Sequence, residues 1–230
     1  VYYETINFSG KNITITSTDP NDRGIVGYTI INADGDGTVV TFENGETNDA
    51  VLTGFTITGG IGTLAYSYGD SYYSYKQFCG AGIYCSGAAP TISHCVITRN
   101  HGPYSQTDDG MTYEFIYSVG GGIYCSGNGA VITHNTIYNN SAYEGGGISA
   151  WSSSVVSNNV IYNNSAAYGG GVYAGYCYLI NNTIVNNDAS KNPEYGLGGN
   201  VYVYFDEDSL RGAVANNVIC GASSGGGLYH

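Results

Sequence analysis

Tyrosine is the residue type whose spacing most clearly suggests a chemical role, and the chain has 24 tyrosines. Several of them follow a glycine-rich segment and an aliphatic residue, as in Gly-Gly-Gly-Ile-Tyr at 120–124. The equivalent positions in successive copies carry Tyr84, Tyr124, Ser149, Tyr173, Tyr202 and Tyr229. A tyrosine offers a flat apolar ring and a polar hydroxyl, a combination suited to stacking on sugar rings. A row of exposed tyrosines therefore predicts a carbohydrate-binding face.

Two long segments rich in tyrosine precede the first two members of this row. Residues 60–79 include Tyr72, and residues 101–119 include Tyr113. Long loops without secondary structure in a compact fold are usually functional, so both are predicted to border the tyrosine face and to take part in binding. In the alternative interpretation, the tyrosines only stack on one another and stabilise an exposed sheet face.

A repeat must position these residues, and its clearest copy is residues 131–148, VITHNTIYNNSAYEGGGI. The copies are rich in Val, Ile, Thr and Tyr and are broken by Gly and Asn-Asn, which favours short strands and tight turns. The shortest copies span about 23 or 24 residues, a period that predicts a stacked solenoid. The aligned apolar columns are Leu52, Ile92, Ile132, Val156, Leu179 and Val214; Ile57, Ile97, Ile137, Ile161, Ile184 and Ile219; and Ile83, Ile123, Ile148, Val172, Val201 and Leu228.

Stacking coils about 4.8 Å apart would give these columns one continuous core. A further column is predicted to form a hydrogen-bonded ladder at a corner. Its members are Asn135, Asn159, Asn182 and Asn217. His94 and His134 share a neighbouring column in which later copies carry Asn, a substitution that indicates corner hydrogen bonding rather than a metal site. Because the two long segments interrupt consecutive coils at the same place, they are expected to emerge side by side.

The pattern I-x-N-N-x-I-x-x-N followed by GGGIY resembles the right-handed parallel β-helix repeat of the pectate-lyase-like superfamily over nearly the whole chain. The resemblance implies an all-β, right-handed parallel β-helix, a single-stranded solenoid with long loops inserted on one edge. It predicts one domain over 1–230, with opening coils in 1–50 and about six repeat coils in 51–230. Both ends interrupt a repeat, which suggests a fragment of a longer protein or end-to-end self-association.

That superfamily includes polysaccharide lyases, glycoside hydrolases, phage tailspikes and non-catalytic adhesins, so the resemblance leaves the function open. Its lyases remove a proton beside a uronate carboxylate with Arg or Lys, while Ca²⁺ on acidic side chains neutralises that carboxylate. Arg99, His101, Asp108 and Asp109 form the group most similar to this arrangement, although no lyase motif accompanies them. A hydrolase would need carboxylates at a fixed separation. The acids near the tyrosine face, Glu144 among them, are interpreted as a solvated rim.

No cofactor is predicted, although Ca²⁺ is possible. Asp34 and Asp36 have the spacing of a calcium loop but lack its later glutamate, and Asp-Gly pairs are ordinary turn formers. Arg211, which follows acidic residues at 206–208, is a further weak catalytic candidate. Cys85 and Cys125 fall in one inward column, where either a disulfide or two packed thiols would fit.

The composition of the chain limits the classes of partner that it can bind. The net charge of −12 and a pI near 4.3 argue against nucleic acid and anionic membrane surfaces, and no apolar stretch is long enough to insert into a membrane. Charged residues make up only 10% of the chain, which favours a non-catalytic extracellular or cell-surface module, an adhesin that binds a polysaccharide or surface glycan. The alternatives are a polysaccharide lyase or glycoside hydrolase that acts in the same cleft, and a structural spacer or fibre-forming protein.

Overall fold

The computed structural model describes residues 1–127, 129–190, 196–204 and 212–229. Short strands follow one another around a solenoid and form three parallel sheets along its length. Sheet I consists of β1 (Tyr2–Tyr3), β4 (Ile30–Asn32), β7 (Thr56–Thr58), β12 (Val96–Thr98), β17 (Thr136–Tyr138), β20 (Val160–Tyr162), β23 (Thr183–Val185) and β26 (Val218–Cys220).

The other two sheets complete each coil. Sheet II consists of β2 (Ile6–Asn7), β5 (Val40–Phe42), β10 (Ile83–Cys85), β15 (Ile123–Cys125), β18 (Ile148–Trp151), β21 (Val172–Gly175), β24 (Val201–Tyr204) and β27 (Leu228–Tyr229). Sheet III consists of β3 (Thr14–Thr16), β6 (Val51–Thr53), β11 (Thr91–Ser93), β16 (Val131–Thr133), β19 (Val155–Ser157), β22 (Tyr178–Ile180) and β25 (Ala213–Ala215). A helix, α1 (Arg23–Tyr28), lies between β3 and β4.

The predicted apolar columns are confirmed residue by residue. Ile123, for example, pairs in register with Ile83 on one side and with Ile148 on the other, and all three side chains are fully buried. The other two columns pair in the same way along sheets III and I. Successive coils therefore place equivalent side chains directly above one another, and this stacking forms the core.

Hydrogen-bonded asparagines fix the corner between sheets III and I, as predicted. Asn135 Nδ2 donates to Asn159 Oδ1 at 3.1 Å, and Asn159 Nδ2 donates to Asn182 Oδ1 at 3.0 Å. The ladder continues to Asn217. The preceding residue has a left-handed backbone, φ 57° at Asn158, a conformation that Asn and His adopt more readily than most residues. This requirement explains why His94, His134 and Asn share one column.

A second asparagine ladder follows sheet I and was not predicted. Its members are Asn100, Asn140, Asn164, Asn187 and Asn200. The signal was in the sequence as repeated Asn-Asn pairs: the first residue of each pair has a left-handed backbone, and the second is buried in the ladder. The coils that carry both asparagines are consequently held at two corners.

The two long segments do emerge side by side, but the expectation that they lack secondary structure is wrong. They form a side sheet of β8 (Thr63–Gly69), β9 (Tyr73–Cys79), β13 (Ser105–Asp108) and β14 (Tyr113–Val119). Strands β9 and β14 pair in parallel along their whole length and so extend the coil-to-coil register away from the solenoid. Their dense aromatic content has high strand propensity, which explains the order.

Cys85 and Cys125 lie in register in the inward column, and both are free thiols, as are the other four cysteines. Of the two arrangements that the sequence left open, the structure therefore has the packed thiols. Burial raises the pKa of the Cys85 thiol well above its usual value, so this thiol carries its proton at neutral pH. Within the described residues, no helix is long and apolar enough to cross a membrane.

Candidate functional site: the tyrosine face of sheet II

The tyrosine row lies on the outer face of sheet II, in the register that the repeat predicts. Neighbouring rings stack on one another. Tyr84 and Tyr124 have ring centroids 5.7 Å apart at 12°, Tyr173 and Tyr202 lie 5.0 Å apart at 18°, and Tyr202 and Tyr229 lie 5.3 Å apart at 15°. Along most of the row, each ring face is therefore covered by the next tyrosine.

The expectation of an exposed row is wrong for Tyr84 and Tyr173, which are each only 9% exposed. Stacking accounts for part of this burial. Cys79 and Val119, the last residues of β9 and β14, pack against Tyr84 from the side. The ends of the side sheet thus cover one stretch of the face, so the sites at which a sugar ring could stack are fewer than the number of tyrosines.

The row is interrupted at Ser149, which stands between Tyr124 and Tyr173 and is fully buried. Two coil spacings, about 10 Å, separate the two tyrosines across this gap. Trp151 fills part of it: its ring centroid is 5.4 Å from that of Tyr173, and its Nε1 donates to Ser149 Oγ at 2.9 Å. We name the gap, lined by Tyr124, Glu144, Ser149, Trp151 and Tyr173, the notch.

Gly175 is the residue that admits the tryptophan to the notch. It pairs in register with Trp151 on the adjacent strand. A Cβ atom at this position would lie 2.3 Å from the Trp151 ring. Only glycine leaves room for the indole to lie flat across β21, so the tryptophan and the glycine form one packing unit.

Glu144 borders the notch from the corner that precedes sheet II. Its backbone forms parallel β-bridges with Val119 in the preceding coil and with Tyr168 in the following coil. Gly145, with φ 62°, then turns the chain into the sheet. The Glu144 side chain is partly buried. Burial raises its pKa to about 7. Within the described part of the chain, the carboxyl group has no hydrogen-bond or ion-pair partner.

The Glu144 carboxyl lies close enough to Cys79 and to several tyrosines for its charge to shift their pKa values. Burial and then the Glu144 charge raise the pKa of Cys79 to about 12. Burial is the main cause of the raised pKa of Tyr173, and the Glu144 charge is the second. The same charge contributes to the raised pKa of Tyr202 and Tyr117. A group of this kind can donate or accept a hydrogen bond at neutral pH, and a strongly shifted pKa marks a candidate functional residue.

This environment corrects the interpretation of Glu144 as part of a solvated rim. The coil that carries it has no insertion between sheets I and II, so Glu144 lies directly beside the sheet rather than on a protruding hairpin. One signal was present in the sequence, since the same coil is the one in which serine replaces the tyrosine of the row. The glutamate and the gap in the stack thus belong to a single coil.

Two further predicted binding residues lie at the far end of the side sheet. Tyr72 is 74% exposed and lies in the turn between β8 and β9. Tyr113 stacks on Tyr73, with centroids 5.3 Å apart, at the end of β14 opposite Val119. The side-sheet tyrosine beside the Glu144 charge is instead Tyr117. The structure therefore does not bring Tyr72 and Tyr113 to the notch.

The candidate catalytic group is spread over the second hairpin. Arg99 is exposed at a corner with φ 56°, and His101 Nδ1 lies 2.9 Å from Ser141 Oγ at the base of the hairpin. Asp108 and Asp109 lie at its tip, where they accept backbone hydrogen bonds from the turn. These bonds, chiefly from Thr112, lower the pKa of Asp109. The structure does not bring the four side chains together.

The candidate calcium ligands Asp34 and Asp36 lie in an exposed turn in which Asn32 Oδ1 accepts from the Asp34 backbone N–H at 2.9 Å. Among the residues described here, no three His, Cys, Asp or Glu side chains gather as they would around a metal ion. Arg211 and acidic residues 206–208 lie outside the described residues.

Comparison with known proteins agrees with this architecture. A family model described as the right-handed β-helix region matches residues 11–210 of the chain. Neither the curated proteins nor the solved structures gave a match.

Proposed function

The chain belongs to the right-handed β-helix family, and from this we propose that it is a carbohydrate-binding module whose site is the notch. We further propose that it works outside the cell or at the cell surface, with a polysaccharide or surface glycan as its partner. The low charge content and the many small polar side chains of the repeat support a role in recognition rather than in chemistry.

One observation carries this proposal: the tyrosine stack is broken at Ser149. Among the described residues, no aromatic ring stacks on the second face of Tyr124, because the next position in its column is a serine. A pyranose ring has apolar faces that pack on aromatic rings and an equatorial belt of hydroxyls. In the notch, Tyr124 would take the apolar face of the sugar, and Glu144 would hydrogen-bond to a hydroxyl.

The charge at the notch indicates the class of glycan. After burial, the charge of Glu144 contributes most to the raised pKa of Tyr173, and Glu144 becomes negative as the pH rises through about 7. A carboxylate in a partly dry site repels a second anion. We therefore expect a neutral glycan at the notch, bound more tightly when Glu144 carries its proton.

A glycan array followed by affinity measurements tests the proposal. We expect the wild-type protein to retain neutral glycans, and we expect Tyr124→Ala to weaken that binding about tenfold or more, as truncation of a central aromatic contact does. The matched control is Tyr178→Ala, an exposed tyrosine on sheet III whose loss should leave binding unchanged. Equal retention by wild type and a folded Tyr124→Ala protein would refute the site.

A glycoside hydrolase is the second candidate, and the raised pKa of Glu144 favours it because a general acid works best with a pKa near the working pH. Glycosidases pair such an acid with a second carboxylate about 5 to 10 Å away. Burial is the sole cause of the Glu144 shift, so no second described carboxylate couples to it. New reducing ends from a neutral glycan, lost in Glu144→Gln, would establish hydrolysis; unsaturated products from a uronate polysaccharide would indicate a lyase instead.

A further inference from the structure

A second groove of about 460 Å³ opens on the outer face of sheet I, away from the tyrosine face. It runs across three coils, and its floor includes Thr136 and Val160 on adjacent strands. Its volume lies within the range of pockets that hold small ligands. The proposed function makes no use of this groove.

Helix α1 closes one end of the groove. Asp22 caps the helix by accepting from the Gly24 backbone N–H at 2.7 Å, and Thr56 Oγ1 donates to the Val26 carbonyl oxygen at 2.9 Å. The first contact starts the helix, and the second attaches it to sheet I. Arg23, the first helical residue, is thereby held in the lining of the groove.

Stacked ring pairs form the two long sides. His94 and His134 lie along one side, with ring centroids 5.2 Å apart at 6°. Tyr138 and Tyr162 lie along the other, with centroids 5.0 Å apart at 3°. Because each pair stacks face to face, the ring edges rather than the inner ring faces border the groove, and one edge atom, His134 Nδ1, lies 2.9 Å from Thr133 Oγ1. Such edges suit a ligand that has many hydroxyl groups.

Arg23, the formally charged side chain of the groove lining, is opposite in sign to the net charge of −12 of the whole chain, and Asp22 lies beside it at the helix N-cap. The titratable side chains of its lining are Arg23, His94, Cys95, His134, Tyr138 and Tyr162. No Asp or Glu among the described residues lines it. Burial, followed by repulsion from the charge of His134, lowers the pKa of His94. A bound anion would offset that repulsion.

We propose that this groove binds an anionic oligosaccharide, whose acidic group pairs with Arg23 and the imidazole edges while its hydroxyls meet Thr136, Asn158 and the tyrosine hydroxyls. A guanidinium holds a carboxylate or sulfate through two parallel hydrogen bonds. Nucleic acid fits poorly because a long polyanion would be repelled by the net charge of the chain. The proposal is independent of the notch, which is expected to take a neutral glycan.

Calorimetric titration of the Tyr124→Ala protein, whose notch is disabled, with three trisaccharides tests the proposal: a uronic-acid trisaccharide, a sulfated one and a neutral one of equal length. We expect saturable binding of at least one anionic trisaccharide and binding of the neutral one at least about tenfold weaker. Arg23→Gln should weaken anionic binding by about tenfold or more. Failure of both anionic sugars to bind, equal binding of the neutral sugar, or wild-type affinity in Arg23→Gln would overturn it.

The pH dependence of binding is a second measurement. It distinguishes histidines that bind the anion from histidines that only stabilise the fold. Protonated imidazoles attract the anion, so wild-type affinity should rise as the pH falls from about 8 to about 5. His94→Asn/His134→Asn should remove most of this rise. Asparagine is the matched replacement because Asn158 holds the same left-handed corner in the next coil. An unaltered pH dependence in a folded double variant would contradict the proposal. Tyr124→Ala, which tests the notch, should leave anionic binding unchanged.

Discussion

Replacing Asn159 by alanine is expected to lower the free energy of unfolding by about 4 kcal/mol, a large share of the stability of a domain. The Asn159 side chain is 1% exposed. Its Oδ1 accepts from the backbone N–H of Asn135 at 2.9 Å, and its Nδ2 donates to the carbonyl oxygen of Ile132 at 2.9 Å. Alanine would leave both backbone groups buried without a partner, and each orphan costs about 1 to 3 kcal/mol.

The neighbouring position provides the matched control. Asn158 is exposed and has a left-handed backbone, which glycine adopts freely. Asn158→Gly should therefore change the free energy of unfolding by less than about 1 kcal/mol. Denaturant unfolding followed by circular dichroism measures both. A loss in Asn159→Ala no greater than in Asn158→Gly would show that the ladder does not hold the coils together.

Replacing Glu144 by glutamine is expected to stabilise the protein above pH 7 by about 2 kcal/mol, and to have little effect near pH 4. The pKa of Glu144 is raised from 4.5 to about 7 in the folded chain. Below both values the carboxyl is protonated in both states and carries no penalty. Between them the unfolded chain loses its proton while the folded chain keeps it, so stability falls as the pH rises through this window. Above it the penalty is constant, and partial exposure of the group makes it smaller than the full shift implies.

Glu114→Gln is the control for this experiment, since Glu114 forms a half-exposed ion pair with Lys76 at 2.9 Å on the side sheet. Such pairs contribute roughly 0 to 1 kcal/mol, so no comparable gain is expected at high pH. Unfolding is measured from about pH 4 to about pH 8, across the two titration midpoints. If Glu144→Gln gains nothing as the pH rises, then the carboxyl is solvated and the notch loses its proposed hydrogen-bonding group.

The stacked architecture could be predicted from the sequence because the positions of the repeat correspond directly to the positions in each coil. A parallel solenoid puts equivalent residues in vertical contact, so aligning copies amounts to reading the strand register. The column through Ile83, Ile123 and Ile148 needed no further information. The corner column could likewise be read, because a left-handed backbone restricts the choice to Gly, Asn and residues such as His94.

The side sheet could not be read in this way, since its residues occur in only two coils and do not repeat. Strand β9 and strand β14 differ in sequence, and their pairing follows from the coils to which they are attached. Burial of Tyr84 depends on that pairing, because Cys79 and Val119 end the two strands. An estimate of side-chain exposure from the in-and-out alternation of strand residues therefore could not detect that Cys79 and Val119 cover Tyr84.

The notch was also beyond prediction, although its members were visible. Trp151 lies in the stack because Gly175 is in register with it, a contact between residues in different coils that no periodic pattern indicates. The pKa of Glu144 depends on how far it is buried by its neighbours. Such environments arise where the repeat is broken, so they are the places that an alignment of repeats describes least well.

Trp151 makes the most direct measurement possible, because it is the single tryptophan of the chain and lies in the notch. Its fluorescence should be recorded while the neutral glycan best retained on the array is added to wild type, Tyr124→Ala and Arg23→Gln. If the notch is the binding site, emission changes saturably in the wild type and in Arg23→Gln, and Tyr124→Ala needs about tenfold more glycan. A retained glycan that leaves Trp151 emission unchanged would contradict binding at the notch.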